Sequence, residues 1–135
     1  MVIPKNDSSV SLALLLDTNA LIWVGSGSPK LSDRARTVIE DSDAQLLVSA
    51  VTAWEYCDLH QRGRIPEAAD FSIVIDMLDL ELVDFPADLW PLAMALPNIH
   101  KDPIDRMLVA HCLAGGWTLV TADKALKKYP IKTLW

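Results

Sequence analysis

Acidic residues recur at one kind of place in this chain. Asp17 directly follows the apolar run Leu12-Ala-Leu-Leu-Leu16, and Glu55 lies in the opening turns of the helical stretch after Gln45-Leu-Leu-Val-Ser49. Asp102 and Asp105 open a later helical stretch, and Asp123 comes two residues after Trp117-Thr-Leu-Val-Thr121. Singly, each has a structural explanation. Asp17 and Asp123 suit helix N-caps, Thr52-Ala-Trp-Glu55 matches a capping box, Asp102-Pro103 is an N-cap followed by proline, and Asp105 suits the positive end of a helix dipole. Jointly they say more. In an open parallel sheet the turns from strands into helices share the carboxyl edge, so acids from several turns can converge in one crevice. Three or four carboxylates held together repel unless a cation sits among them. Oxygen ligands without His or Cys select a hard ion, Mg²⁺ or Mn²⁺, over zinc. Such an ion can hold a phosphodiester and activate a water, which points to phosphoryl chemistry. Arg106 and Lys124, each beside one of these acids, are expected to position the substrate backbone, with Arg62, Arg64, Lys127 and Lys128 as weaker candidates.

The elements that must carry these residues follow from the apolar pattern. The runs 12–16, 45–49, 81–85 and 117–121 are mostly apolar with little alternation, as strands covered on both faces should be, and 131–135 offers a fifth. Helical spacing fills the intervals at 18–24, 32–42, 51–62, 70–79, 87–96, 103–115 and 123–128. Alternation of this kind implies an α/β fold with a parallel sheet and right-handed crossovers. Residues 1–11 are polar and aperiodic and read as a loose leader before a single domain over 12–135. Gly25-Ser-Gly-Ser-Pro29 reads as a joint between two helices; it lacks the spacing of a phosphate loop or a dinucleotide fingerprint.

Composition narrows the function. The 135 residues are 51% hydrophobic, enough for one self-sufficient core. Cys57 and Cys112 sit in apolar helical contexts without ligand-spaced partners, which argues against a disulfide framework and a zinc finger and suits a reducing cytoplasm. The apolar run at Leu12 stops at Asp17, too short for a membrane span, and Lys5 alone makes a poor signal-peptide start. A formal net charge of -6 rules out attraction of nucleic acid by overall charge, so a polyanion partner needs a local device.

Four segments together resemble PIN-domain ribonucleases, specifically VapC-type toxins of toxin–antitoxin pairs: Leu14-Leu-Leu-Asp-Thr-Asn-Ala-Leu-Ile-Trp23, Ser49-Ala-Val-Thr-Ala-Trp-Glu55, His100-Lys-Asp-Pro-Ile-Asp-Arg-Met-Leu-Val-Ala110 and Leu119-Val-Thr-Ala-Asp-Lys-Ala125. The resemblance implies a PIN-like sheet of about five parallel strands flanked by helices. It implies Mg²⁺ or Mn²⁺ held by Asp17, Glu55, Asp105 and Asp123, with Thr18, Asn19 and Thr121 as polar helpers and Asp102 at the rim, mainly capping its helix. The implied activity is hydrolysis of RNA phosphodiesters by an activated water, and the implied partners are an antitoxin protein and a second copy of the chain. Ile104 stands where the family often has an aromatic, and Tyr56-Cys57-Asp58 replaces a more aliphatic and sometimes basic stretch.

Other uses of the fold are weaker on the residues. A phosphatase with an aspartyl nucleophile wants a second acid two residues after the first, where this chain has Asn19, and a phospho-accepting receiver wants an early acidic pair that is absent before Asp17. A catalytically silent binding module whose acids only cap helices is the alternative from another class, and metal binding separates it from an enzyme. His100 reads as a surface polar residue, and Trp23, Trp54 and Trp117 read as core. In 70–79, Phe71, Val74, Ile75 and Leu78 make one apolar face for the core. Ile73, Met77 and Leu80 make a second, expected at a partner interface unless 87–96 folds over it.

Overall fold

A computed structural model describes residues 12–135, so the expected leader lies outside the described residues. Strands β1 (Ala13–Leu16), β2 (Gln45–Ser49), β3 (Glu81–Val83), β4 (Thr118–Val120) and β5 (Lys132–Leu134) form one sheet in the order β3-β2-β1-β4-β5. Every neighbouring pair is parallel, with Leu14 opposite Leu46 on one side of β1 and opposite Thr118 on the other. The helices are α1 (Thr18–Ser26), α2 (Asp33–Ile39), α3 (Ala50–Gln61), α4 (Phe71–Leu78), α5 (Trp90–Ala95) and α6 (Pro103–Gly115). Short 3-10 turns cover Ala87–Leu89 and Lys124–Lys128.

Near-continuous apolar strands arise because both faces of the sheet are covered. Leu14, Leu16, Leu46 and Val48 point into one core with Leu21 of α1, Ala35 of α2, Tyr56 of α3 and Val74 of α4. Leu15, Leu47 and Leu119 point into the other, against Leu108, Val109 and Cys112 of α6. Leu89 of the 3-10 turn and Ala93 of α5 pack on Ala110 of α6. The Gly-Ser stretch only partly joins α1 to α2: Gly25 and Ser26 still belong to α1, and Gly27 in the left-handed conformation (φ 66°) closes it.

The chain winds outward from β1 through β2 to β3, then α5 and α6 carry it back across to β4 on the other side of β1. The gap between the ends of β1 and β4 is therefore the point where winding reverses, and ligands of open α/β sheets collect at such points.

Two expectations for side-chain environment are corrected. Leu80 is buried (8% exposed), whereas Ile73 and Met77 are both 55% exposed. The helix ends at Asp79, whose φ of 51° turns the chain and lets the Leu80 N–H bond back to Ile75 O at 3.0 Å, so helical spacing no longer applies at Leu80. Trp54 is 65% exposed rather than core, because Thr52 and Tyr56 of the same helix face inward and place it on the opposite side. Trp23 is half-buried and packs on Trp135, and Trp117 is half-buried against the second core.

Candidate metal centre

Each acid reaches the carboxyl edge by its own route. Asp17 is the N-cap of α1: its Oδ1 accepts the Ala20 N–H at 2.8 Å, and its own N–H donates to Val120 O at 3.1 Å, fastening the end of β1 to β4. Asp123 caps the 3-10 turn after β4, with Oδ1 accepting from the Ala125 N–H at 2.9 Å, and its own N–H donates to Thr121 Oγ1 at 3.1 Å. Asp102 caps α6 by accepting the Ile104 N–H at 2.9 Å, one turn below Asp105. Glu55 projects from the second turn of α3. The capping box expected at Thr52 is absent: Ser49 is the N-cap, Thr52 is buried, and Glu55 accepts instead from the Thr18 hydroxyl.

Asp17, Thr18, Asn19, Glu55, Asp102, Asp105 and Asp123 line one cavity of about 160 Å³. Asp17 is buried at its floor, and the charged side chains that line it are all acids. Burial pushes the Asp17 carboxyl up to about 6, against hydrogen bonds from Thr121 and Ala20 that favour the anion, and the charges of Asp123 and Glu55 add to the rise. Burial also drives Asp105 up to about 7, helped by the charges of Asp102, Asp17 and Asp123 and opposed by His100. Carboxyls so raised fit a divalent cation, which would replace the missing positive charge with oxygen-only coordination.

Among the described residues, one trio of His, Cys, Asp or Glu offers ligand atoms all within 4.8 Å of one another, and it is His100, Asp105 and Asp123. His100 is thus no surface polar residue. Its Nε2 lies 2.7 Å from Asp123 Oδ2 and 3.4 Å from Asp105 Oδ2, in a half-buried setting. Its place two residues before the Asp102 cap was the available signal, but spacing alone does not say which way a loop side chain turns.

The basic residues divide. Lys124 is exposed beside Asp123. Arg106 is corrected: its guanidinium donates to the carbonyls of Ala93 (2.9 Å), Leu96 (3.2 Å) and Pro97 (3.1 Å), so it is occupied in holding the α5–α6 connection and does not present a free fork to a phosphate. Arg62 pairs with Asp58 at 3.1 Å.

Comparison with known proteins agrees with this geometry. The family model described as PIN domain matches residues 14–132. Ribonuclease VapC22 of Mycobacterium tuberculosis is 30% identical over 119 residues, covering 86% of this chain and 91% of the relative. Two solved structures share the fold: the DNA-bound VapBC of Salmonella typhimurium, with a TM-score of 0.67 and 20% identity over 90% of this chain and 96% of that one, and VapBC2 of Rickettsia felis bound to a promoter DNA fragment, with a TM-score of 0.63 and 17% identity over 91% and 99%.

Proposed function

The chain belongs to the PIN-domain family, and on that premise we propose that it is a divalent-metal-dependent endoribonuclease acting as the toxin of a toxin–antitoxin pair. The observation that carries the reading is the meeting of acids from four separate segments in one cavity where the sheet's winding reverses. Asp17, Glu55, Asp105 and Asp123 would hold the ion, and Mg²⁺ or Mn²⁺ suits their oxygens. When bound, such an ion supplies Lewis acidity toward the phosphodiester and lowers the pKa of a water.

The chain's own residues supply the rest. Thr18 holds Glu55 by a hydrogen bond from its hydroxyl, and Thr121 and the Ala20 N–H fix Asp17. Asn19, exposed at the cavity wall, offers an amide to the substrate or its water. The acids repel anions that bring no affinity for the cation, while the exposed Lys124, next in sequence to Asp123, would draw the RNA backbone toward it. A chain of net charge -6 can thereby engage a polyanion at this crevice.

The VapBC neighbours support an antitoxin protein as partner. The exposed pair Ile73 and Met77 on α4 is the surface we assign to the antitoxin or to a second copy of the chain. Among the described residues no helix is long and apolar enough to cross a membrane.

The test is RNA cleavage by the purified chain in Mg²⁺ or Mn²⁺. Excess EDTA should abolish it, and Asp105→Asn should lower it by orders of magnitude while circular dichroism stays unchanged, because the amide fills the space without neutralising the ion. Undiminished cleavage in EDTA would overturn the mechanism.

A further inference from the structure

We infer that His100 is a positioning residue of this crevice: its Nε2–H holds the Asp123 carboxylate while its Nδ1 is tied to the Asp102 backbone, so the ring stays outside the cation's ligand set. The assignment rests on the reading of the crevice as a cation site, and its core is a hydrogen-bond count. The Asp102 N–H donates to His100 Nδ1 at 3.0 Å. A nitrogen that accepts carries no proton, so the single proton of the neutral ring is on Nε2. Nε2 stands 2.7 Å from Asp123 Oδ2, the length of a strong hydrogen bond to a carboxylate. With one nitrogen accepting and the other protonated, the ring has no lone pair left for a metal, although its position beside Asp105 and Asp123 makes it look like a ligand.

The rest of the loop fixes the ring where this role needs it. The His100 N–H donates to Tyr129 Oη at 3.0 Å, and the Tyr129 hydroxyl donates in turn to Pro97 O at 3.0 Å. Arg106 reaches Pro97 O at 3.1 Å and His100 O at 3.4 Å from the other side. Asp123 is held at both oxygens, Oδ1 by the Ala125 N–H at 2.9 Å and Oδ2 by His100. Its carboxylate plane is set before any ion arrives. Asp105 has only the longer 3.4 Å contact and remains the acid free to turn toward the ion.

Long-range ¹H–¹⁵N NMR of the metal-free full chain at neutral pH reads the tautomer directly. The expected pattern for His100 is a protonated Nε2 and a bare Nδ1, unchanged on adding Mg²⁺. A proton on Nδ1, or loss of the Nε2 proton when Mg²⁺ binds, overturns the proposal. Mn²⁺ titration followed by EPR then tests the consequence. His100→Ala should weaken Mn²⁺ roughly 10–100-fold, as loss of an orienting partner does. His100→Gln, whose amide N–H can still donate to Asp123, should stay within a few-fold of the wild type. Wild-type affinity in His100→Ala, or equal weakening in both variants, overturns the positioning role, and if His100→Ala fails to fold the wild-type NMR pattern decides. Wild-type Mn²⁺ affinity in Asp17→Asn would instead defeat the reading of the crevice as a cation site.

Discussion

The hydroxyl of Thr18 donates to Oε1 of Glu55, tying the first residue of α1 to the second turn of α3. Two segments far apart in sequence are thereby registered at the crevice by one side-chain hydrogen bond. Thr18→Ala should lower RNA cleavage about 10–100-fold, as removal of a residue that orients a ligand does. Thr18→Ser, which keeps the donor, should remain close to wild type. Equal losses in the two variants would show that the methyl group matters and the hydrogen bond does not.

The acids give the metal-free protein a distinctive pH response. Asp17 and Asp105 rise from the ordinary 3.8 to about 6 and about 7 in the fold, so between those limits the native chain binds more protons than the unfolded one. Stability attributable to them is present at low pH and falls as pH rises through that window. In EDTA the melting temperature should drop by several degrees from about pH 5 to about pH 8, and saturating Mn²⁺ should remove most of the drop. Asp17→Asn should flatten the slope. A melting temperature that climbs with pH in EDTA would contradict the assignment.

Arg106 should prove structural. Arg106→Ala strands the carbonyls of Ala93 and Leu96, while Pro97 O keeps the Tyr129 hydroxyl and the Ile99 N–H, and should destabilise the chain by about 2 kcal/mol in urea melts. Arg106→Lys should recover little of this, since an ammonium cannot span three carbonyls as a planar fork does. Near-wild-type stability for Arg106→Ala, with weakened RNA binding, would restore a substrate role.

On α4, the Ile73→Glu and Met77→Lys pair should leave the fold intact, within about 0.5 kcal/mol per exposed site, because neither side chain is buried. The folded variant should lose self-association in sedimentation or fail to bind the antitoxin. Retention of both would show that this surface is unused.

The strands were legible because an apolar run buried on both faces has few alternative readings: Leu14 to Leu16 fill two cores at once. Asp17 and Asp123 were legible because their positions follow directly from strand ends. Among the features that were not, three share a cause. Leu80 escapes the helical pattern through the left-handed turn at Asp79, Arg106 is claimed by carbonyls of a connection whose path no local pattern encodes, and His100 turns inward because Asp102, Tyr129 and Asp123 each bind part of it. In all three cases the deciding partner is fixed by tertiary structure, beyond the reach of sequence spacing.

The place of β4 between β1 and β5 bears on how the chain is made. β4 is the neighbour that closes one side of β1, yet it is translated long after β1, β2 and β3 have emerged. Until then Leu14 to Leu16 form an open, strongly apolar strand edge, the kind of edge that recruits other chains. A nascent or truncated product lacking β4 also lacks Asp123, so it has no complete crevice. A chain ending before β4 should therefore cut no RNA, and the pairing of β4 with β1 both covers that edge and completes the crevice.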